Sequence, residues 1–307
     1  MRPLVVSAAA AAVASDLLIP NAERVDVGTL VPTTHLDALA AIGLFEPIRP
    51  ADTADLSELL AGACGNTFFI WAQHLGVQRI LTPSSGQRWG IAFAHLRRRD
   101  APLTAERRGT GWLLTGQASW LTGVGCVTDF ALAAVCGPEI VWLRLPTERL
   151  SETVVEPLSL AAMNATGTCR VQFGEMTFGS DDVLRVESLA DWLRDDHPYT
   201  ARAPYGALGV GRRAVTLLAE REPDIARSLG DLLETARTRS IEDPTHEHRA
   251  LAVLAASRCT EAFVASVAGS AMLRDHPAQR LNREAAFYLV QAQTPAIRAA
   301  MLNHLRG

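Results

Sequence analysis

Apolar residues recur at helical spacing through the first quarter of the chain. Leu36, Leu39, Ala40 and Ile42 follow Pro32-Thr33-Thr34-His35 and stop at Gly43, which predicts a helix with a marked start and end. Asp55-Leu56-Ser57-Glu58-Leu59-Leu60 predicts a second helix, interrupted at Gly62 and Gly65, and Thr67 to Leu75 continues with an apolar face. The opening Met1 to Ser15 has the single Arg, apolar stretch and small residues of a secretory leader. It also runs on through Asp16-Leu17-Leu18 to Pro20 without a break in register. Because Ala is the strongest helix former, we read it as a first helix. From about residue 88 to 185 the pattern shortens. Gly90–Ala94, Trp112–Gly116, Phe130–Val135, Ile140–Leu145 and Arg170–Phe173 are strand candidates separated by Gly, Pro and Asp, the texture of an antiparallel barrel or sandwich. From about 189 onward Gly206–Leu218, His248–Met272 and Leu281–Leu305 read as long helices. The second carries Leu251, Leu254, Ala255, Arg258 and Ala262 on one stripe. Helices, then strands, then helices is an α+β order. It divides the chain into a helical 1–86, a β-rich 87–187 and a helical 188–307.

Composition narrows the chemistry. All 29 basic residues are Arg, so a Schiff-base lysine and the lysine of a P-loop are both excluded. A net charge of −4 argues against a nucleic-acid surface, and a mean hydropathy of +0.10 argues against disorder. Cys64, Cys126, Cys136, Cys169 and Cys259 form no CxxC pair, which excludes zinc-ribbon and thioredoxin readings. They read as reduced core thiols, expected of a cytoplasmic protein. We expect no transmembrane run and no metal site.

Several local strings together resemble the acyl-CoA dehydrogenase superfamily of flavoproteins. Pro20-Asn21-Ala22-Glu23-Arg24-Val25-Asp26, Pro32 and Leu39-Ala40-Ala41-Ile42-Gly43-Leu44 are similar to its opening helices. Gly111-Trp112-Leu113-Leu114-Thr115-Gly116 followed by Ser119-Trp120-Leu121-Thr122-Gly123 is similar to its strand pair ending in Trp-x-Thr. Phe173 to Phe178 with Asp182-Val183-Leu184, Arg202 to Gly211, and Gln279-Arg280-Leu281-Asn282-Arg283-Glu284-Ala285 continue the likeness through all three zones. The resemblance implies a helical N-domain, a central antiparallel β-barrel and a helical C-terminal bundle. It also implies FAD or FMN, redox chemistry on a small-molecule or acyl-thioester substrate, and a homodimer or homotetramer. It places Trp120 against the isoalloxazine ring, Thr122 on flavin N5, and Arg202 at the cofactor. On a strand, residues two apart share a face, so indole and hydroxyl can address one ligand edge. Spacing alone is better served by a buried Trp beside a turn Thr, and it is the surrounding resemblance that favours the flavin.

The sequence departs from that pattern in three places. The family's acidic turn after the first barrel strand is replaced by His95-Leu96-Arg97-Arg98-Arg99-Asp100. Its Arg-x-x-Phe-Gly clasp for the FAD diphosphate is missing after Glu220-Arg221-Glu222-Pro223-Asp224. Pro223 is expected to break a helix there, and nothing selects among Arg212, Arg213, Arg237 and Arg239 as substitutes. The two positions of the family's catalytic Glu correspond to Ala201 and Ala292, neither of which can take a proton. These departures motivate an alternative: a non-catalytic or flavin-independent member, acting as a ligand-binding protein or as a partner subunit in a hetero-oligomer.

The remaining candidates have plain structural readings beside the functional ones. His74 could face a substrate cavity, although a satisfied core His is commoner. His276 could serve as an acid or donor. Arg97-Arg98-Arg99 with Arg107-Arg108 could take a phosphate-bearing tail, or could be a solvated loop. Asp243, His246 and His248 read as a capping turn, with Asp243 or Thr245 opening a helix. Glu284 is expected to pair with Arg280 or Arg283 one turn away. The glycines of Gly206-Ala207-Leu208-Gly209-Val210-Gly211 serve either close helix packing or backbone approach to a ligand.

Overall fold

The computed structural model describes residues 1–97 and 103–306, so Arg98 and Arg99 of the basic run lie outside the described residues. The chain opens as one helical rod: α1 (Ala8–Ala12), a π-helical stretch (Val13–Leu18) and α2 (Ile19–Asp26). Pro20 falls in the first turn of α2, where its missing N–H costs little because the helix has just widened. Then come α3 (Thr33–Ala41), α4 (Pro50–Ala63) and α5 (Gly65–Val77), the last two parted at Cys64, whose backbone is extended.

Eight strands follow: β1 (Trp89–Ala92), β2 (Leu103–Arg108), β3 (Gly111–Leu121), β4 (Asp129–Cys136), β5 (Glu139–Pro146), β6 (Val154–Pro157), β7 (Cys169–Phe178) and β8 (Val183–Ser188). They form one sheet in the order β6-β7-β3-β2-β4-β5-β8, with β1 against β4. Most pairs are antiparallel, as expected. β1 runs parallel to β4, and β2 touches β4 in parallel at Thr104 and Val135. The pattern did not predict β2, β6 or β8. All three carry charge at exposed positions, β6 and β8 as the edges of the sheet and β2 within it, and Arg107 and Arg108 sit in β2 rather than in a loop.

The C-terminal helices are α6 (Leu189–Thr200), α7 (Tyr205–Leu218), α8 (Pro223–Glu242), α9 (His246–Val267), α10 (Pro277–Tyr288) and α11 (Pro295–Leu305). The helix is interrupted ahead of Pro223 as expected: α7 stops at Leu218, and Pro223 opens a new 20-residue helix, since proline at the first helical position loses no bond. Three other expectations are corrected here. The single helix expected over Leu281–Leu305 is two, parted before Pro295. The apolar stripe of α9 is rotated, so that Arg258 is exposed while Arg249, Val253, Ala256, Cys259 and Phe263 are buried. The stretch His246–Met272 is also long and apolar enough to cross a membrane by length and composition, contrary to expectation. It is the central helix of the bundle, packed against α7, α8, α10 and α11. Thr245 caps α9 by accepting from the His248 N–H (3.1 Å), as the capping reading of that cluster requires.

Charged side chains tie the N-terminal helices to the bundle. Buried Glu58 on α4 accepts from Arg237 on α8 (2.6 Å) and Arg212 on α7 (3.2 Å), and Asp55 accepts from Arg237 (3.0 Å) and pairs with Arg2. Arg212 and Arg237 are therefore already engaged by carboxylates. On α10, Arg280 holds Glu284 through both carboxylate oxygens (3.0 Å each) and reaches Glu23 on α2 (3.1 Å).

Candidate functional site

Trp120 and Thr122 lie where β3 meets β7, and the ladder is irregular there. Ala118 pairs with Val171 and Leu121 with Cys169, so β3 carries one residue more than β7 over this step. Such a bulge re-aims the residues within it. Trp120 is 52% exposed and walls a hollow of about 460 Å³ together with Gln117, Ser119, Leu158, Leu160 and Arg170.

Thr122 does not line that hollow. It is 5% exposed and belongs to a chain of three buried hydroxyls. Thr166 Oγ1 lies 2.7 Å from the Met163 carbonyl oxygen, Thr166 and Thr168 hydroxyls are 2.8 Å apart, and Thr168 and Thr122 hydroxyls are 3.0 Å apart. A hydroxyl has one proton to give. The Met163 carbonyl also accepts from the Thr166 N–H (3.2 Å), so the hydroxyl chain is closed in either direction, with Thr122 donating to Thr168 or accepting from it. The segment after α2 closes over this run: Leu30 bridges Thr166, and the Val31 N–H donates to the Ala165 carbonyl (2.8 Å).

N5 of an oxidised flavin accepts a hydrogen bond and needs a donor. Thr122 is buried beneath that cover, its hydroxyl against Thr168, and it shares no cavity with Trp120. The two residues that the resemblance assigns to the ring therefore do not fit a flavin placed between them.

The other assigned residues are in view as well. Arg202 is exposed, its guanidinium 4.7 Å from the centre of the Tyr199 ring. Ala201 is buried, and Ala292 follows α10 with a φ of 54°, in the left-handed region. No carboxylate stands at either position. Arg249 links the two places instead: Nη1 donates to the Arg202 carbonyl and Nη2 to Gln291 Oε1, both at 3.0 Å. Sequence reasoning passed over Arg249. A cation one residue before the apolar run of α9 was the available signal.

His74 is fully buried. Nε2 donates to the Phe45 carbonyl (2.7 Å) and Nδ1 accepts from the Trp89 N–H (3.3 Å), which fixes one neutral tautomer and leaves neither nitrogen for a substrate. His276 caps α10, its Nδ1 accepting from the Ala278 N–H (3.1 Å). Burial holds His74 and His35 below the ordinary 6.5. A group kept neutral in this way contributes stability above 6.5 that is lost as pH falls through 6.5 toward the lower folded value, because the unfolded chain takes up protons first. We expect the melting temperature to fall between about pH 7 and pH 5, and His74→Gln to flatten part of that slope. Thermal melts of both proteins across that range check this, and an unchanged slope in the variant contradicts it.

No family model matches this sequence, and no curated protein matches it. Solved structures match along nearly its whole length. Glutaryl-coenzyme A dehydrogenase in its glutaryl-CoA complex superposes with a TM-score of 0.81 at 12% identity, over 100% of this chain and 97% of that one. FkbI, for biosynthesis of a methoxymalonyl extender unit, gives 0.77 at 15%, over 96% and 99%. Nitrososynthase from Micromonospora carbonacea var. africana gives 0.72 at 16%, over 98% and 97%. At such identities the likeness is one of fold.

Proposed function

We propose that this chain, which has the acyl-CoA dehydrogenase fold, is a flavin-independent member of it that serves as a ligand-binding or companion subunit. The observation that carries this reading is Thr122, which is buried with its hydroxyl against Thr168 and is closed off from the hollow beside Trp120. Ala201 and Ala292 support it, since desaturating an acyl thioester needs a carboxylate to take the α-proton.

A second reading is a flavin-dependent oxidoreductase, a dehydrogenase or oxygenase, with FAD or FMN and a small-molecule or acyl-thioester substrate. The half-exposed Trp120 beside its open hollow favours it. A solved neighbour, a glutaryl-CoA dehydrogenase from Mycobacterium smegmatis, was determined in complex with FADH2.

A visible absorbance spectrum of the purified protein, taken with its size in solution, separates the two. The first reading predicts no flavin band. A homodimer or homotetramer holding one flavin per chain overturns it.

A further inference from the structure

Between α5, α6 and the sheet lies a hollow of about 120 Å³ whose apolar walls are mostly aromatic. Phe93, just past β1, Trp142 on β5 and Trp192 on α6 frame it, and Ile80 and Ile91 complete the apolar lining. Trp142 is buried, while Phe93 and Trp192 are half-buried. The rings meet at angles: Phe93 and Trp192 edge to face with centres 5.8 Å apart, Phe93 and Trp142 tilted at 6.3 Å. They do not stack on one another, and edge-on or offset contact is also what a further ring would seek. Asp196 fixes α6, and with it Trp192, by accepting from Arg97 through both oxygens (2.7 and 2.9 Å). Gly76 on α5 also lines the hollow. Among the described residues a Cβ there meets only Ile91, at an ordinary 3.5 Å, so no close approach demands a glycine. Glycine inside a helix is unfavourable. At this position its effect is to leave one wall without a side chain.

The rim is charged, and its charges are already engaged. Glu187 accepts from Trp142 Nε1 (2.7 Å) and pairs with Arg185 (2.9 Å). Asp195 pairs with Arg194 (3.1 Å), and Arg79 rests on the Tyr199 ring, 3.7 Å from its centre. A ligand anion would face Glu187 and Asp195, and a ligand cation would face Arg79 and Arg185. Either would leave water without a free counter-ion, which is costly. An uncharged ring bears no such cost. We infer that this hollow is a binding site for a neutral, single-ring aromatic compound, held among Phe93, Trp142 and Trp192 with its substituent at the charged rim. An apolar cavity of about 150 Å³ takes benzene, so a hollow of about 120 Å³ that opens at its rim has the size for one ring and is too small for a fused tricycle. It shares no lining residue with the hollow beside Trp120, so the inference goes beyond the reading above.

The test is thermal melting of the whole protein with benzamide, sodium benzoate or benzamidine hydrochloride, at ionic strength matched with sodium chloride. The three compounds share one planar shape and differ in charge. Benzamide is expected to raise the wild-type melting temperature saturably, by about 2 °C at ten times its dissociation constant. Benzoate and benzamidine are expected to give less than half that rise. Gly76→Leu sets a side chain beside Ile91 in the open wall; it is expected to melt no lower than the wild type and to lose the response to benzamide. If that variant melts far below the wild type, Trp192→Ala takes its place, since it removes a half-buried wall and is expected to lose most of the response. Any of three results overturns the site: no saturable rise with benzamide, an equal or larger rise with either charged analogue, or a full benzamide response in the variant used. Flavin binding, read separately, decides the earlier reading without touching this one.

Discussion

Replacing Arg280 by methionine is expected to cost the fold about 3–5 kcal/mol, read as a lowered urea midpoint and melting temperature. The side chain is 3% exposed and the Glu284 carboxylate it grips is fully enclosed. Removing the cation leaves that carboxylate buried without its partner, which costs more than the pair itself contributes. The loss spreads further, since Arg280 also reaches Glu23 on the opening helix and so fastens the N-terminal rod to α10. Two controls separate charge from shape. Glu284→Gln keeps the volume and a hydrogen-bond acceptor, and is expected to cost less than Arg280→Met. The double variant Arg280→Met with Glu284→Met removes both charges and is expected to recover part of the loss. If Arg280→Met unfolds within about 1 kcal/mol of wild type, the ion pair is not buried as described.

Gly209→Ala is expected to cost about 3 kcal/mol, large for one methyl group. A Cβ at Gly209 would lie 2.2 Å from the Glu58 carbonyl oxygen and 2.9 Å from its Cα, both backbone atoms that cannot swing aside. Across the same crossing, a Cβ at Gly62 would lie 2.7 Å from the Gly209 carbonyl oxygen. Two helices, α4 and α7, are thus in backbone contact through facing glycines. Separating them also lengthens the bonds by which Arg212 and Arg237 hold Glu58. Of the two roles left open for the Gly206–Gly211 stretch, this contact assigns Gly209 to helix packing. Gly174 serves as the control, because a Cβ there meets nothing within 4 Å. A Gly209→Ala protein as stable as Gly174→Ala would contradict the close approach.

Much of the fold was legible because its signals are local. The helix over Thr33–Ala41 follows from a Pro and Thr start and a Gly stop, and the strands β4 and β5 follow from unbroken apolar runs. The break at Pro295 was equally local and could have been read from the proline. The polar strands β2, β6 and β8 were not legible, because their places depend on partners elsewhere in the sheet. The pairing of Glu284 with Arg280 was visible as a one-turn spacing, but its burial against α2 was not. The state of Thr122 lay beyond sequence reading altogether. Its hydroxyl is engaged by a chain of hydroxyls 46 and 44 residues away, at Thr168 and Thr166, that ends on the Met163 carbonyl. Neighbouring residues made Trp120 and Thr122 look like one ligand edge. The bulge and the cover over residues 165–168 make them two separate environments.

The most direct test of a flavin-free centre is to titrate the purified protein with FAD and with FMN and follow flavin fluorescence, so that cofactor lost during purification cannot mislead. With Thr122 buried and cut off from the hollow beside Trp120, neither flavin is expected to bind at micromolar concentration, and Trp120→Ala is expected to leave the titration unchanged. Saturable binding of one flavin per chain, abolished in Trp120→Ala, would contradict that account.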